Sequence, residues 1–198
     1  MIGAAASLLL AALIVMGSPG PSTVSLTAVA ASLGLRASLN YGAGLVLGTV
    51  SVLLLVATGV SGLLLAWPQA ALPLRIGAMV YCLYLAWRIA TARPLQTAHS
   101  TDRAPGWLAG YLLALANPKA YLAIGAVYSG QMLLPAAPLA DAALKCLLLS
   151  LMVAMIHLAW GAFGALLARH LRDARMARLV NGTLAVALVA SLAFTELF

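Results

Sequence analysis

Ile14-Val15-Met16-Gly17-Ser18-Pro19-Gly20-Pro21-Ser22-Thr23-Val24 interrupts an apolar run that begins at Ile2 and continues to Ala31. A run of that length can cross a bilayer as a helix, yet proline inside a helix removes a backbone donor and clashes with the preceding turn. A second interruption, Asn117-Pro118-Lys119, falls in the corresponding apolar stretch of the chain's other half. Lipid supplies no hydrogen-bond partners, so backbone freed by a break must be buried in protein or line a cavity. Paired breaks at corresponding places are therefore a pointer to a binding site within the membrane.

Composition supports a membrane setting. Of the 198 residues 64% are hydrophobic and 8% charged, and the mean hydropathy is +1.06. A soluble domain needs more polar exterior than this, so the chain reads as an all-α integral membrane protein. A net charge of +7 on a soluble protein would raise nucleic-acid binding. Here the arginines sit in short segments between apolar runs, the pattern that orients membrane proteins, and the expected partner is the lipid bilayer, with no nucleic acid. Residues 1–17 lack the basic start of a signal peptide, and Pro-Gly-Pro stands where a cleavage site is wanted, so we expect them to be retained as half of a helix. Cys82 and Cys146 lack CxxC spacing and read as packing residues.

Six spans account for the pattern, at about 2–31, 40–66, 74–92, 106–128, 142–168 and 179–197. A polar loop around Arg36 follows the first, a turn with Trp67, Pro68 and Pro73 the second, and a central loop at 93–105 the third. A Pro135/Pro138 loop follows the fourth and a basic loop at 169–178 the fifth. Arg36, then Arg88, Arg93 and Arg103, then Arg169, Arg172, Arg175 and Arg178 mark alternate loops, while the opposite loops hold little beyond Arg75, Asp141 and Lys145. By the positive-inside rule the basic loops are cytoplasmic and both termini lie outside. Three spans per half make the second half enter from the opposite side, so residues 1–92 and 106–198 are expected to form an inverted repeat within one transmembrane domain. Gly44 and Gly48, with Gly106, Gly110 and Ala114, are spaced for close helix packing, either within the chain or in a homo-oligomer.

The chemistry concentrates at the breaks. A helix restarting at Pro21–Ser22 and another at Pro118 each present unpaired N–H groups and partial positive charge, an arrangement suited to a carboxylate. The helix ends before the breaks present carbonyls that accept an ammonium group. Together they suit a zwitterion, that is, an amino acid. Glycine tolerates left-handed backbone and admits a ligand close to the chain, and proline suits the first turn of each restarting helix. The candidate binding residues are Ser18, Pro19, Gly20, Pro21, Ser22, Asn117, Pro118 and Lys119. Lys119 lies well inside its span and needs a wet cavity or a partner; no acid is near it in sequence. Asn117 reads equally as a helix cap, and Ser18, Ser22 and Thr23 equally as partners of their own helices. His157, mid-span, is a candidate proton relay or a structural donor; Trp160 one turn on reads as packing, and Thr49 as a weaker coupling candidate.

These residues resemble the LysE/RhtB family of amino-acid exporters. The family's Thr-Pro-Gly-Pro-Asn type signature is similar to Ser18-Pro19-Gly20-Pro21-Ser22, and its Asn-Pro-Lys is present as Asn117-Pro118-Lys119. Gly77-Ala78-Met79-Val80-Tyr81-Cys82-Leu83-Tyr84-Leu85-Ala86-Trp87-Arg88 is similar to its third-span segment, and the basic loop before the last helix matches. The resemblance implies a bacterial inner-membrane carrier, not an enzyme, that exports amino acids by alternating access on the proton gradient, without cofactor or bound metal. Departures are Ser22 for asparagine, and Thr49 and His157 where the family has acidic residues; they weigh against a cationic cargo such as lysine.

Three alternatives remain. A thiol electron carrier of the CcdA/DsbD kind needs a cysteine pair near the breaks, and Cys82 and Cys146 are elsewhere. An exporter of metal ions needs ligand clusters, and His157 stands alone; other small solutes stay open. A non-transporting scaffold leaves both breaks and Lys119 without a use.

Overall fold

The computed structural model describes residues 2–59, 76, 79–80, 83–87, 90–91, 105–167 and 174–197, and among these every regular element is helical. The helices are α1 (Ile2–Met16), α2 (Pro21–Leu33), α3 (Leu35–Ala57), α4 (Trp107–Leu115), α5 (Pro118–Ser129), α6 (Pro138–Leu167) and α7 (Ala174–Leu197). Among the described residues α3 and α6 are each long and apolar enough to cross a membrane, and α1 with α2 forms a third such stretch bent by 66°. The nine residues of α4 and twelve of α5 rise only about 14 and 18 Å, short of the roughly 30 Å hydrocarbon core. Leu10, Ile14, Leu47, Leu54, Leu147, Leu151 and Leu158 are at least half exposed, an outer surface fit for lipid rather than water.

Burial separates the halves of the bent pair. Eleven consecutive residues of α2, Pro21 to Ala31, are buried, against Leu8 and Ala12 alone in α1. α2 thus runs through the centre of the bundle while α1 lies at its side. Its hydroxyls are tied down locally: Ser25 Oγ donates to Ser22 O at 2.9 Å and Thr27 Oγ1 to Thr23 O at 2.9 Å. Two apolar clusters flank the breaks. One joins Val24 and Val29 of α2 to Tyr41 and Leu45 of α3, Leu113 of α4 and Leu188 of α7. The other joins Leu8 of α1 to Val52 and Leu53 of α3, Ile124 and Val127 of α5, and Leu149, Met152 and Ile156 of α6.

The small-residue stripes work within the chain. A Cβ at Gly44 would run into the Trp107 carbonyl, one at Gly110 into that of Tyr41, and one at Gly48 would come within 2.8 Å of Ala114 Cβ. α3 and α4 therefore pack backbone to backbone. Gly106 faces open space and takes no part.

Several boundaries differ from the sequence expectation. No loop surrounds Arg36: Gly34 alone, at φ 86°, separates α2 from α3. Glycine adopts that left-handed conformation without steric penalty, so one residue suffices and Arg36 enters the first turn of α3. α3 begins at Leu35 rather than 40 and ends at Ala57, with Gly59 at φ 75° beyond it, and the expected stretch 60–66 of the second span lies outside the described residues. Pro138 begins α6 instead of belonging to the loop, since a first-turn proline has no intrahelical N–H to lose. Arg175 and Arg178 lie in α7 rather than in the basic loop. Leu167 and Val180 pack on Ala31, which brings the start of α7 to the α2–α3 junction and puts Arg175, Arg178 and Arg36 at one end of the bundle. Residues 60–75 and 92–104, Arg88, Arg169, Arg172 and Cys82 lie outside the described residues, and with them most of the third span, the central loop and the third-span segment.

At the other end of α6, Asp141 and Lys145 form a buried ion pair at 2.9 Å. The carboxylate accepts from the N–H groups of Leu133 and Leu134 at 2.5 and 2.8 Å, and the ammonium donates to the carbonyls of Tyr128 and Gln131. This cluster fixes the α5–α6 loop by capping its orphan backbone groups.

Candidate functional site

Proline dictates where the second helix of each broken pair restarts. Pro21 and Pro118 are the first residues of α2 and α5, where a missing N–H is harmless. The Asn117 side chain accepts from Lys119 N at 3.1 Å and caps α5. Its Nδ2 donates to Ser22 Oγ at 3.1 Å across 95 positions of sequence. One side chain therefore does both jobs: it closes its own helix and ties the first turn of α2 to that of α5.

Lys119 makes the second tie. Its ammonium donates to Ser18 O and Ser18 Oγ, both at 2.8 Å, and to Pro19 O at 2.6 Å. Three donors meet three acceptors, all from the first break. The lysine, with no acid near it in sequence, is paired with backbone oxygens of the non-helical segment just beyond α1, groups that need a donor once the chain has left the helix. Gly20 is extended, at φ −163°, so the left-handed reading of this glycine is wrong. What it supplies is space: a Cβ there would lie 2.8 Å from Lys119 Cδ and 3.0 Å from Nζ.

Around these ties is a cavity of about 50 Å³, lined by Ser18, Gly20, Ser22, Thr23, Thr49, Asn117, Lys119 and His157 with apolar Met16, Ala120, Ala123, Ile124, Val153 and Ile156. That volume corresponds to roughly three to five water positions, the scale of an amino acid's polar head. Pro19, Pro21 and Pro118 do not line it; Pro21 is buried and Pro19 exposed. Thr49 Oγ1 donates to Leu45 O at 2.8 Å, and Thr23 Oγ1 both accepts from Gly20 N at 3.0 Å and donates to Gly20 O at 3.2 Å.

His157 is buried, at 5% exposure. Its Nδ1 lies 2.8 Å from Val153 O, and since a carbonyl can only accept, Nδ1 carries the hydrogen. Nε2 is then left with its lone pair, buried and without a hydrogen-bond partner. Nδ1 is thus a structural donor, as one of the two expectations had it, and Nε2 is an unpartnered acceptor.

The LysE type translocator family model matches residues 13–195, from late α1 to the end of α7. The chain belongs to the LysE type translocator family. No curated protein and no solved structure matches it. The chain is accordingly a multi-pass membrane translocator with a small-molecule substrate, and the family resemblance drawn from its two breaks holds.

Sequence reasoning missed one polar contributor to this translocator's break. Trp160, read as packing, donates from Nε1 to Gly17 O at 3.1 Å, and its own carbonyl accepts from Thr27 Oγ1 at 3.2 Å. Its spacing of three from His157 places both on one face of α6, a signal that was legible but had no partner to attach to. Cys146 is free and half-buried and does not line the cavity. Among the described residues no group of three metal-ligating side chains occurs.

Proposed function

We propose that this translocator exports amino acids or close derivatives from the cytoplasm across the bacterial inner membrane. The cargo binds in the cavity between the breaks, against Ser18, Gly20, Ser22, Asn117 and Lys119, with Pro21 and Pro118 starting the helices behind it and Pro19 offering its carbonyl to Lys119. The observation that carries this reading is the meeting of both breaks on one cavity that holds a cation, amide and hydroxyl donors, carbonyl acceptors and the open His157 Nε2. A zwitterion matches both signs of this lining, its carboxylate suited to the Lys119 ammonium and its ammonium to the carbonyl acceptors, whereas a solute of one sign or none meets only part of it.

In this reading the chain forms six spans as one domain, with inverted halves at about 1–92 and 106–198, the basic loops cytoplasmic and both termini outside. Alternating access proceeds around the cavity. His157 takes the proton-coupling place, with Thr49 beside it in the lining.

The test is a substrate panel: efflux of labelled neutral, acidic and basic amino acids from cells with and without the protein, alongside resistance to toxic analogues. Faster efflux of one or more neutral amino acids is expected, and identical efflux across the panel would overturn the proposal. Cysteine labelling at position 36 from the cytoplasmic side only is the expected sidedness.

A further inference from the structure

The ammonium of Lys119 occupies a site with the chemistry of a ligand seat. Building on the carrier reading above, we propose that Lys119 is a tethered stand-in for the cargo's amine: its ammonium sits where a primary ammonium group of the cargo sits when cargo binds.

The seat is complete. Ser18 O, Ser18 Oγ and Pro19 O lie at 2.8, 2.8 and 2.6 Å from Nζ, so every ammonium hydrogen has an acceptor and a fourth is not needed. The seat holds a cation without a carboxylate, because its acceptors are two backbone carbonyls and a hydroxyl of the non-helical segment between α1 and α2, whose oxygens have no helical N–H to satisfy them. Asp141 is committed elsewhere, to Lys145 and the N–H groups of Leu133 and Leu134. Gly20 leaves the groove in which the lysine stem lies; its extended backbone gives it no conformational reason to be glycine. A seat formed by two backbone carbonyls and a hydroxyl recognises –NH3+ as a group, whichever molecule bears it.

Exchange then explains why a zwitterion is the fitting cargo. Its ammonium replaces that of Lys119 in the seat, and its carboxylate receives the lysine so released. Charge in the seat is unchanged and the lysine is never left unpaired inside the bilayer, where an isolated charge is costly. A simple amine displaces the lysine but leaves two cations side by side. A simple carboxylate has nothing with which to displace it. A tethered group competes at an effective concentration in the millimolar range, so the lysine also excludes adventitious ammonium ions.

The test uses the purified full-length protein in detergent, with methylammonium chloride as probe and tetramethylammonium chloride, which has no N–H donor, as control. In Lys119→Ala, methylammonium should raise the thermal unfolding midpoint saturably, with an apparent affinity at least about tenfold tighter than for the wild type, and tetramethylammonium should not. Gly20→Ala, which keeps the lysine but crowds its stem, should acquire the same response, and it serves if Lys119→Ala does not fold. Equal methylammonium responses in wild type and both variants, or equal responses to both salts, would overturn the proposal. Amino-acid efflux by the wild type is measured in parallel. Efflux without the amine response removes the seat and leaves the carrier reading intact; the amine response without efflux supports the seat and removes amino acids as its cargo.

Discussion

Between Met16 and Pro21 four residues lie outside helix and the chain bends by 66°, whereas between Leu115 and Pro118 two residues suffice. The two breaks also differ in who satisfies them. At the second, the work is local: Asn117 caps α5, Tyr121 Oη donates to Leu115 O at 2.9 Å, and Asn117 N donates to Ala114 O. At the first, Thr23 closes the start of α2, but the carbonyls of Gly17, Ser18 and Pro19 depend on Trp160 and Lys119, more than 100 residues away in sequence for each except the Pro19 bond at 100. A break that caps itself is a fixed support. A break completed from elsewhere can exchange its partners, which is what a binding site requires.

The strongest way to break this contrast is Lys119→Ala. It removes three charge-assisted bonds from the first break, each worth about 1.5–3 kcal/mol when buried and less on the open Pro19 side. We expect efflux to fall by about 100-fold, equivalent to roughly 2.7 kcal/mol, with helix content by circular dichroism unchanged; activity within twofold of wild type would end the idea that the first break is completed by the second half. Next, Trp160→Phe keeps an aromatic ring beside Phe163, which the indole meets edge-on at 5.9 Å, but removes the Nε1 donor to the Gly17 carbonyl. It should cost about 1–3 kcal/mol in denaturant unfolding, and Tyr121→Phe nearer 1 kcal/mol, because the end of α4 keeps its local bonds. An equal or larger loss for Tyr121→Phe would reverse the comparison.

Coupling between the breaks is expected to be smaller still. A double-mutant cycle of Ser22→Ala and Asn117→Ala should show an interaction of about 1 kcal/mol, over and above the capping loss of about 1 kcal/mol in Asn117→Ala alone. Strict additivity would mean that the bond between the two helix starts contributes nothing. Last, His157→Gln should flatten the pH dependence of efflux between about pH 5 and 8, with Lys119 the other titratable group in the cavity lining. A profile superimposable on the wild type would reduce His157 to its bond with Val153.

Much of this was legible because the signals are local. Ser18, Ser22, Asn117, Lys119, Thr49 and His157 were all candidates, and all line one cavity. Trp160 was undervalued because an indole N–H has meaning only once its acceptor is known. Of the two properties that glycine offers at a break, left-handed backbone does not apply to Gly20 and room beside the chain does, since a glycine kept for φ and one kept for space look alike in a sequence. The helix boundaries at Arg36, Pro138 and Arg175 differ from what polarity alone suggests, because arginine is a good helix former and proline is welcome in a first turn.

Residue order alone determined that the chain lives in lipid and where its helices must part, because hydropathy is summed along a segment and proline acts on its own turn. Tertiary structure alone decided that Lys119 answers Ser18 and Pro19, that Asn117 reaches Ser22, and that Trp160 covers Gly17. Those partners stand 95 to 143 positions apart, and no periodicity reaches so far. Bonding them depends on the packing of α1, α2, α5 and α6 around one point, a property of the whole bundle and of no segment in it.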